Sequence, residues 1–119
     1  MGTRAWIAIP VSPKDGKNVL VAMVSLDGDR LLDTLNTHYT DYDKARELVD
    51  MGELRDVEDD GTPDQFNDPW PPVLVSRAWY RKKGGAEFNY LYVVGAAKPW
   101  RCVKGMKGVD AIDAPEDSA

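Results

Sequence analysis

One histidine, His38, and one cysteine, Cys102, are the only residues of the two types most used as general base and thiol nucleophile. A Ser-His-Asp triad or a Cys-His dyad would have to be built on His38, and a small enzyme would draw on Asp27 and Tyr39 beside it. His38 falls between Thr37 and Tyr39 at the expected end of a helix. An imidazole there favours the helix macrodipole, and this capping role is the simpler account. One His and one Cys do not compose a zinc site. No catalytic residue, metal or cofactor is therefore assigned.

The acidic segment 55–72 offers a second chemistry. Counting from Asp56, carboxylates at Glu58, Asp60 and Asp64 with Gly61 at the sixth position imitate a calcium loop. The match fails at the twelfth position, where Asn67 replaces the bidentate Glu, and the prolines that follow forbid an exiting helix. A solvated loop bearing aromatic anchors is a better description. Asp56, Glu58, Asp59, Asp60, Asp64 and Asp68 would steer a partner, and Phe66 and Trp70 would anchor it. An alternative ligand set is Arg4, Arg30, Arg77 and Arg81 for phosphate contacts, with Trp6 and Trp79 stacking a base. Gly84-Gly85 beside Arg81-Lys82-Lys83 lacks the spacing of a phosphate loop and reads as a basic hairpin tip.

The elements that must position these groups are legible in outline. Apolar runs 6–9 and 19–24 flank the turn signal Asp15-Gly16 and predict an antiparallel hairpin. Asp29 is the expected N-cap of a helix carrying Leu31, Leu32 and Leu35. Thr40 is the expected N-cap of a second helix carrying Tyr42, Ala45, Leu48 and Val49, closed by Gly52. Segment 55–72 is expected to be one long loop. Strands are expected at 73–75, 78–80 and 87–94, the last two joined by a turn around Gly84-Gly85. Phe88, Tyr90 and Tyr92 share a face that should pack on the helices. A short edge strand is expected at 100–103. The predicted fold is α+β, a small antiparallel sheet with an αα-hairpin packed on one face. It forms a single domain over 1–107, followed by a flexible acidic tail over 108–119.

Length and composition bound the function classes. At 119 residues, with 43% hydrophobic and 29% charged residues, the chain suits one globular domain that folds alone or as a small homo-oligomer. A lone cysteine excludes an internal disulfide and suits a reducing, cytoplasmic compartment. No stretch approaches the roughly eighteen apolar residues of a membrane span. Trp6 at the sixth position argues against acylation of Gly2. A net charge of −5 disfavours direct nucleic-acid binding and favours a basic partner.

Several short motifs occur in a familiar order: Met1-Gly-Thr-Arg4, Asp27-Gly28, His38-Tyr39-Thr40 leading to Ala45, Leu48 and Val49, Gly52-Glu53-Leu54, and Gly85-Ala86-Glu87-Phe88 with Tyr90-Leu91-Tyr92. Together, over about residues 1–100, they resemble a group of short bacteriophage and prophage proteins without an established chemistry. Members of that group tend to carry an aromatic-Asp-Gly-Tyr-Pro turn, where this chain has Leu26-Asp27-Gly28-Asp29-Arg30. The acidic loop here is also longer. The resemblance implies a phage origin. With the acidic Trp70 loop it suggests an accessory protein that binds a host bacterial protein stoichiometrically in the host cytoplasm. The target would be a basic or nucleic-acid-handling protein, and the effect inhibition or anti-defence. A binder of small molecules or nucleotide signals is the alternative, a small enzyme the third class, and a virion component is also compatible.

Overall fold

The structure is a computed structural model that describes residues 3–26 and 28–105. Met1, Gly2, Asp27 and the 108–119 tail lie outside the described residues, as do the roles expected of them.

The chain runs β1 (Ala5–Pro10), β2 (Asn18–Val24), a 3-10 turn (Gly28–Arg30), α1 (Leu31–His38), α2 (Tyr42–Asp50), β3 (Leu54–Val57), β4 (Pro63–Gln65), β5 (Val73–Ser76), α3 (Arg77–Lys83), β6 (Phe88–Tyr92) and β7 (Trp100–Gly105). All seven strands join one sheet in the order β4-β3-β2-β1-β6-β7, with β5 also on β2. The β1–β2 hairpin keeps Ala5 opposite Val24 and Pro10 opposite Val19. Its turn is held by the Asp15 carboxylate, which accepts the Lys17 and Asn18 amides at 2.8 and 3.0 Å.

The sheet is mixed, which corrects the expected small antiparallel one. β3 runs parallel to β2, and β6 parallel to β1. The cause is the helical connections. A hairpin reverses the chain, whereas a helical crossover returns it in its original direction. One crossover, α1 and α2, links β2 to β3 over one face, and α3 links β5 to β6 over the other. The free edge of β2 is shared: Val24 meets Leu54 of β3, while Asn18–Val21 meets Ser76–Val73 of β5.

The sequence demands this two-sided cover. In β1 and β2 both alternating sets are apolar: Ile7, Ile9, Ala22 and Val24 face α1 and α2, while Ala8, Val19 and Val21 face α3 with its buried Tyr80. Such doubly apolar strands must be buried on both faces. Segment 78–80, expected as a strand, therefore lies within α3. Its N-cap is Ser76, whose Oγ accepts the Trp79 amide at 3.1 Å, and its last turn holds Arg81, Lys82 and Lys83, the sign the macrodipole favours.

Other expected boundaries shift. No side chain caps α1, and Asp29 sits in the preceding 3-10 turn. Asp41, not Thr40, caps α2 by accepting the Lys44 amide at 3.2 Å. Segment 55–72 is not one loop, because β3 and β4 pair within it.

Phe88, Tyr90 and Tyr92 do pack in the core with α1 and α2. All five tyrosine hydroxyls donate to backbone carbonyls: Tyr39 to Gly61, Tyr42 to Pro10 at the end of β1, Tyr90 to Gly28 and Tyr92 to Thr40, while Tyr80 shares its one proton between Trp6 of β1 and Tyr90 of β6. A buried hydroxyl without a partner would cost about 1–3 kcal/mol, so these bonds fix the acceptor segments as well as the rings.

Candidate binding groove

The face of the sheet that carries α3 is incompletely covered. Trp6 of β1 stands opposite Met23 of β2, and Val73 of β5 stands opposite Val21. The single two-turn helix α3 spans only part of this face. It sets Trp79 and Tyr80 against the Trp6 ring, both with centroids 6.4 Å away and planes within 22°. Tyr80 is fully buried, and its hydroxyl shares its one proton between the Tyr90 carbonyl at 2.8 Å and the Trp6 carbonyl at 3.1 Å. Gly85 completes the seat: a Cβ there would lie 2.8 Å from the Trp6 ring.

A third indole reaches the same place from a different part of the chain. After α2 the backbone turns through Gly52 at φ +80°, where a Cβ would sit 2.2 Å from the Trp70 carbonyl oxygen. A side chain is excluded there by conformation and by space alike. The close approach lets the Glu53 amide donate to the Trp70 carbonyl at 2.9 Å, while the Trp70 amide donates to Glu53 Oε1 at 3.3 Å.

Between these elements lies a groove of about 220 Å³, bordered by Trp6, Trp70, Trp79, Met23, Val73 and Glu53 among others. Among the described residues Glu53 is the one charged residue that borders it, and the lining surface is almost entirely apolar. Trp70 is 72% exposed, Val73 58% and Trp79 44%, and Leu74 on the opposite side of β5 is 59% exposed. A cluster of large, well-seated, solvent-facing apolar groups is the usual mark of a binding surface. A second hollow of about 290 Å³ continues from it past Trp6, Met23 and Glu53 to Arg4 and Gly85.

The expected site residues divide. Of the partner set, Trp70 lies in the groove. Asp56, Glu58 and Asp59 instead border a polar hollow of about 310 Å³ with Arg30 and Thr34, on the α1 side of the sheet. Asp59 lies 3.8 Å from Arg30 with both side chains exposed. Asp60 accepts the Thr62 amide at 2.9 Å, and that bond holds its carboxyl below the usual range. Asp64 stands opposite Asp56 in the β3–β4 pair. Phe66 lies beneath the Arg55 guanidinium, 4.9 Å from its ring centre, and Asp68 is exposed. Of the ligand set, Trp6 and Trp79 meet in the groove and Arg4 borders its extension. Arg30 is on the α1 side, Arg77 lies beside Gly16 with its amide bonded to the Lys17 carbonyl, and Arg81 is on α3 outside the groove lining.

His38 and Cys102 take structural positions. The His38 ring rests on Gly61, where a Cβ would lie 2.7 Å from its Cγ, and Nε2 lies 3.0 Å from the Asp59 carbonyl. It holds the 58–62 turn, which is a larger role than the expected helix cap. Cys102 is buried in the helix-side core. Among the described residues no group of three His, Cys, Asp or Glu side chains is placed to hold a metal ion. No helix among them is long and apolar enough to cross a membrane.

Met23, Glu53, Pro71, Val73 and Val75 line the groove and were not anticipated. The doubly apolar alternation of β1 and β2 was the available signal, since it required a second covered face. No family model, curated protein or solved structure matches the chain.

Proposed function

We propose that the chain is a phage accessory protein that acts by stoichiometric binding to a basic host bacterial protein in the host cytoplasm, with the tryptophan groove as the docking site. The observation that supports this reading is the convergence of Trp6, Trp70 and Trp79, from three separate elements, on one open apolar groove. Trp70 is mostly in solvent and Trp79 partly so, each at a position fixed by a hydrogen bond from its backbone amide. Exposed tryptophans seated in this way are favoured anchors of protein interfaces. The net charge of −5 favours a basic counterpart. Asp56, Glu58, Asp59 and Asp60 supply long-range steering from another side of the molecule.

Nucleotide binding, the second reading, keeps Trp6 and Trp79 as stacking groups. It is disfavoured because Arg30 and Arg77 are held elsewhere and, among the described residues, no Arg or Lys borders the groove to meet a phosphate.

The test is affinity capture from host lysate with three forms: the unaltered chain, Trp70→Ala with Trp79→Ala, and a form with Asp56, Glu58, Asp59 and Asp60 neutralised. Native mass spectrometry supplies the stoichiometry. One host protein bound one to one, lost from the tryptophan variant and kept by the neutralised one, supports the reading. Equal capture by the tryptophan variant, or stabilisation by a nucleotide without any host protein, contradicts it.

A further inference from the structure

We infer that the outer edge of β5 pairs with the same edge of a second copy of this chain, joining two sheets about a twofold axis at Leu74. The inference goes beyond the groove and does not depend on it.

β5 pairs with β2 on one side only, and its other edge meets no strand among the described residues. The register tells which backbone groups point each way. One step beyond the Asn18–Ser76 pair, the Arg77 amide donates to the Lys17 carbonyl at 2.7 Å. Bonded positions alternate along an antiparallel pair, so Val73 and Val75 bond to β2 while Pro72, Leu74 and Ser76 turn their backbone groups outward. Pro72 has no N–H, and the Ser76 carbonyl, at the N-cap of α3, opens that helix's own ladder. The Leu74 N–H and carbonyl, the Ser76 N–H and the Pro72 carbonyl remain on offer to another strand.

A second β5, run antiparallel and centred on Leu74, answers each of them. Leu74 then faces Leu74 of the second copy and exchanges both bonds with it, and each Ser76 N–H donates to the Pro72 carbonyl opposite. Four bonds form. The missing Pro72 N–H falls opposite the one carbonyl that needs no donor. Sliding the strands by two residues in either direction leaves only two bonds, so the register is selected. The side chains agree with it. Leu74 and Val73, both more than half exposed, come to lie beside Leu74 and Val75 of the second copy. Residues 70–76 carry no charge, so two chains of net charge −5 meet there without like charges face to face. The pairing lies in the plane of the sheet and leaves the groove open. So short an edge covers less than the roughly 800 Å² per partner of a standard interface, which makes the dimer reversible and dependent on concentration.

The experiment is sedimentation velocity of the full chain from low micromolar to near-millimolar concentration, with Leu74→Lys beside it. The unaltered chain should pass from monomer to dimer. Leu74→Lys, which sets two ammonium groups face to face, should stay monomeric with an unchanged circular dichroism spectrum. Leu74→Cys reads the register, because bonded partners hold their Cα atoms about 5.5 Å apart, within the span of a disulfide. Diamide should cross-link it at least about tenfold faster than Val94→Cys, an exposed control beyond β6, while Cys102 is buried. A monomer at every concentration, a dimer that survives Leu74→Lys, or equal cross-linking of the two cysteine variants overturns the inference. A monomeric chain whose host-protein capture is lost with Leu74→Lys also overturns it, and gives the edge to a strand of the partner instead. Capture that persists in monomeric Leu74→Lys keeps the docking role, so the two claims fall separately.

Discussion

Glu53 and Trp70 hold each other by reciprocal bonds: the Glu53 amide donates to the Trp70 carbonyl at 2.9 Å, and the Trp70 amide returns to the Glu53 carboxylate at 3.3 Å. Seventeen positions separate them in sequence. The pair closes the segment that carries β3 and β4, and it fixes the most exposed tryptophan at the border of the groove. The site therefore depends on backbone contacts that side-chain chemistry alone does not reveal.

Gly52 permits that clamp, so Gly52→Ala should break it. A Cβ 2.2 Å from the Trp70 carbonyl, at φ +80°, forces the two segments apart. The expected cost is about 1–3 kcal/mol. Urea unfolding followed by circular dichroism measures it, and the Trp70 indole N–H signal should move while that of Trp100 stays.

Ser76→Ala should cost about 1 kcal/mol by removing the α3 cap, whose Oγ accepts the Trp79 amide at 3.1 Å. Ser76→Asp should restore most of that loss. Urea midpoints of the three forms test this. No change in either variant would mean that α3 is held by packing alone.

Asn89 is fully buried and exchanges two hydrogen bonds with Ala86, accepting its amide at 3.2 Å and donating to its carbonyl at 2.8 Å. Asn89→Leu would strand both backbone groups and press on Gly84, whose Cβ position already lies 2.6 Å from Asn89 Cγ. A loss of about 2–4 kcal/mol is expected from unsatisfied backbone groups. Calorimetric melting is the measurement, and a variant that melts with the parent contradicts the account.

Burial pushes the Tyr80 phenol well above its ordinary value and raises that of Tyr90, with the nearby Cys102 thiol adding to both shifts. An unfolded chain ionises its tyrosines near pH 10. As pH rises past that point the unfolded state sheds protons that the folded state keeps, so it gains stability with each further unit. The fold should keep this contribution below about pH 10 and lose it progressively above. Urea unfolding at stepped alkaline pH measures the loss, and tyrosinate absorbance should rise together with unfolding. Full titration of all five tyrosines near pH 10 in a folded chain would contradict the burial of these two.

Local chemistry made part of this fold legible. Asp15-Gly16 marks the first turn, Gly52 closes α2, and the alternation of Phe88, Tyr90 and Tyr92 marks the face they bury. Long-range choices stayed hidden. Ala78-Trp79-Tyr80 has strand propensity, and the tertiary need to cover Val19, Val21 and Leu91, together with the Ser76 cap, makes it helix. β3 and β4 are short and acidic, so they resemble a loop until the parallel contact of Val24 with Leu54 adds them to the sheet. Trp70 was legible as an anchor, and Trp6 and Trp79 as stacking groups. That they form one site was not legible, because three different elements bring them together.

The central claim is that this groove is where a partner docks. Its most direct test is calorimetric titration of the captured host protein into the unaltered chain, into Trp79→Ala, and into the form with Asp56, Glu58, Asp59 and Asp60 neutralised. The account predicts one-to-one binding, weakened about 30-fold or more by Trp79→Ala, the size of an interface hot spot, and changed only a few-fold by loop neutralisation. Undiminished binding by Trp79→Ala, with loss on neutralising the acids, would contradict the account and place the interface on the 56–60 segment.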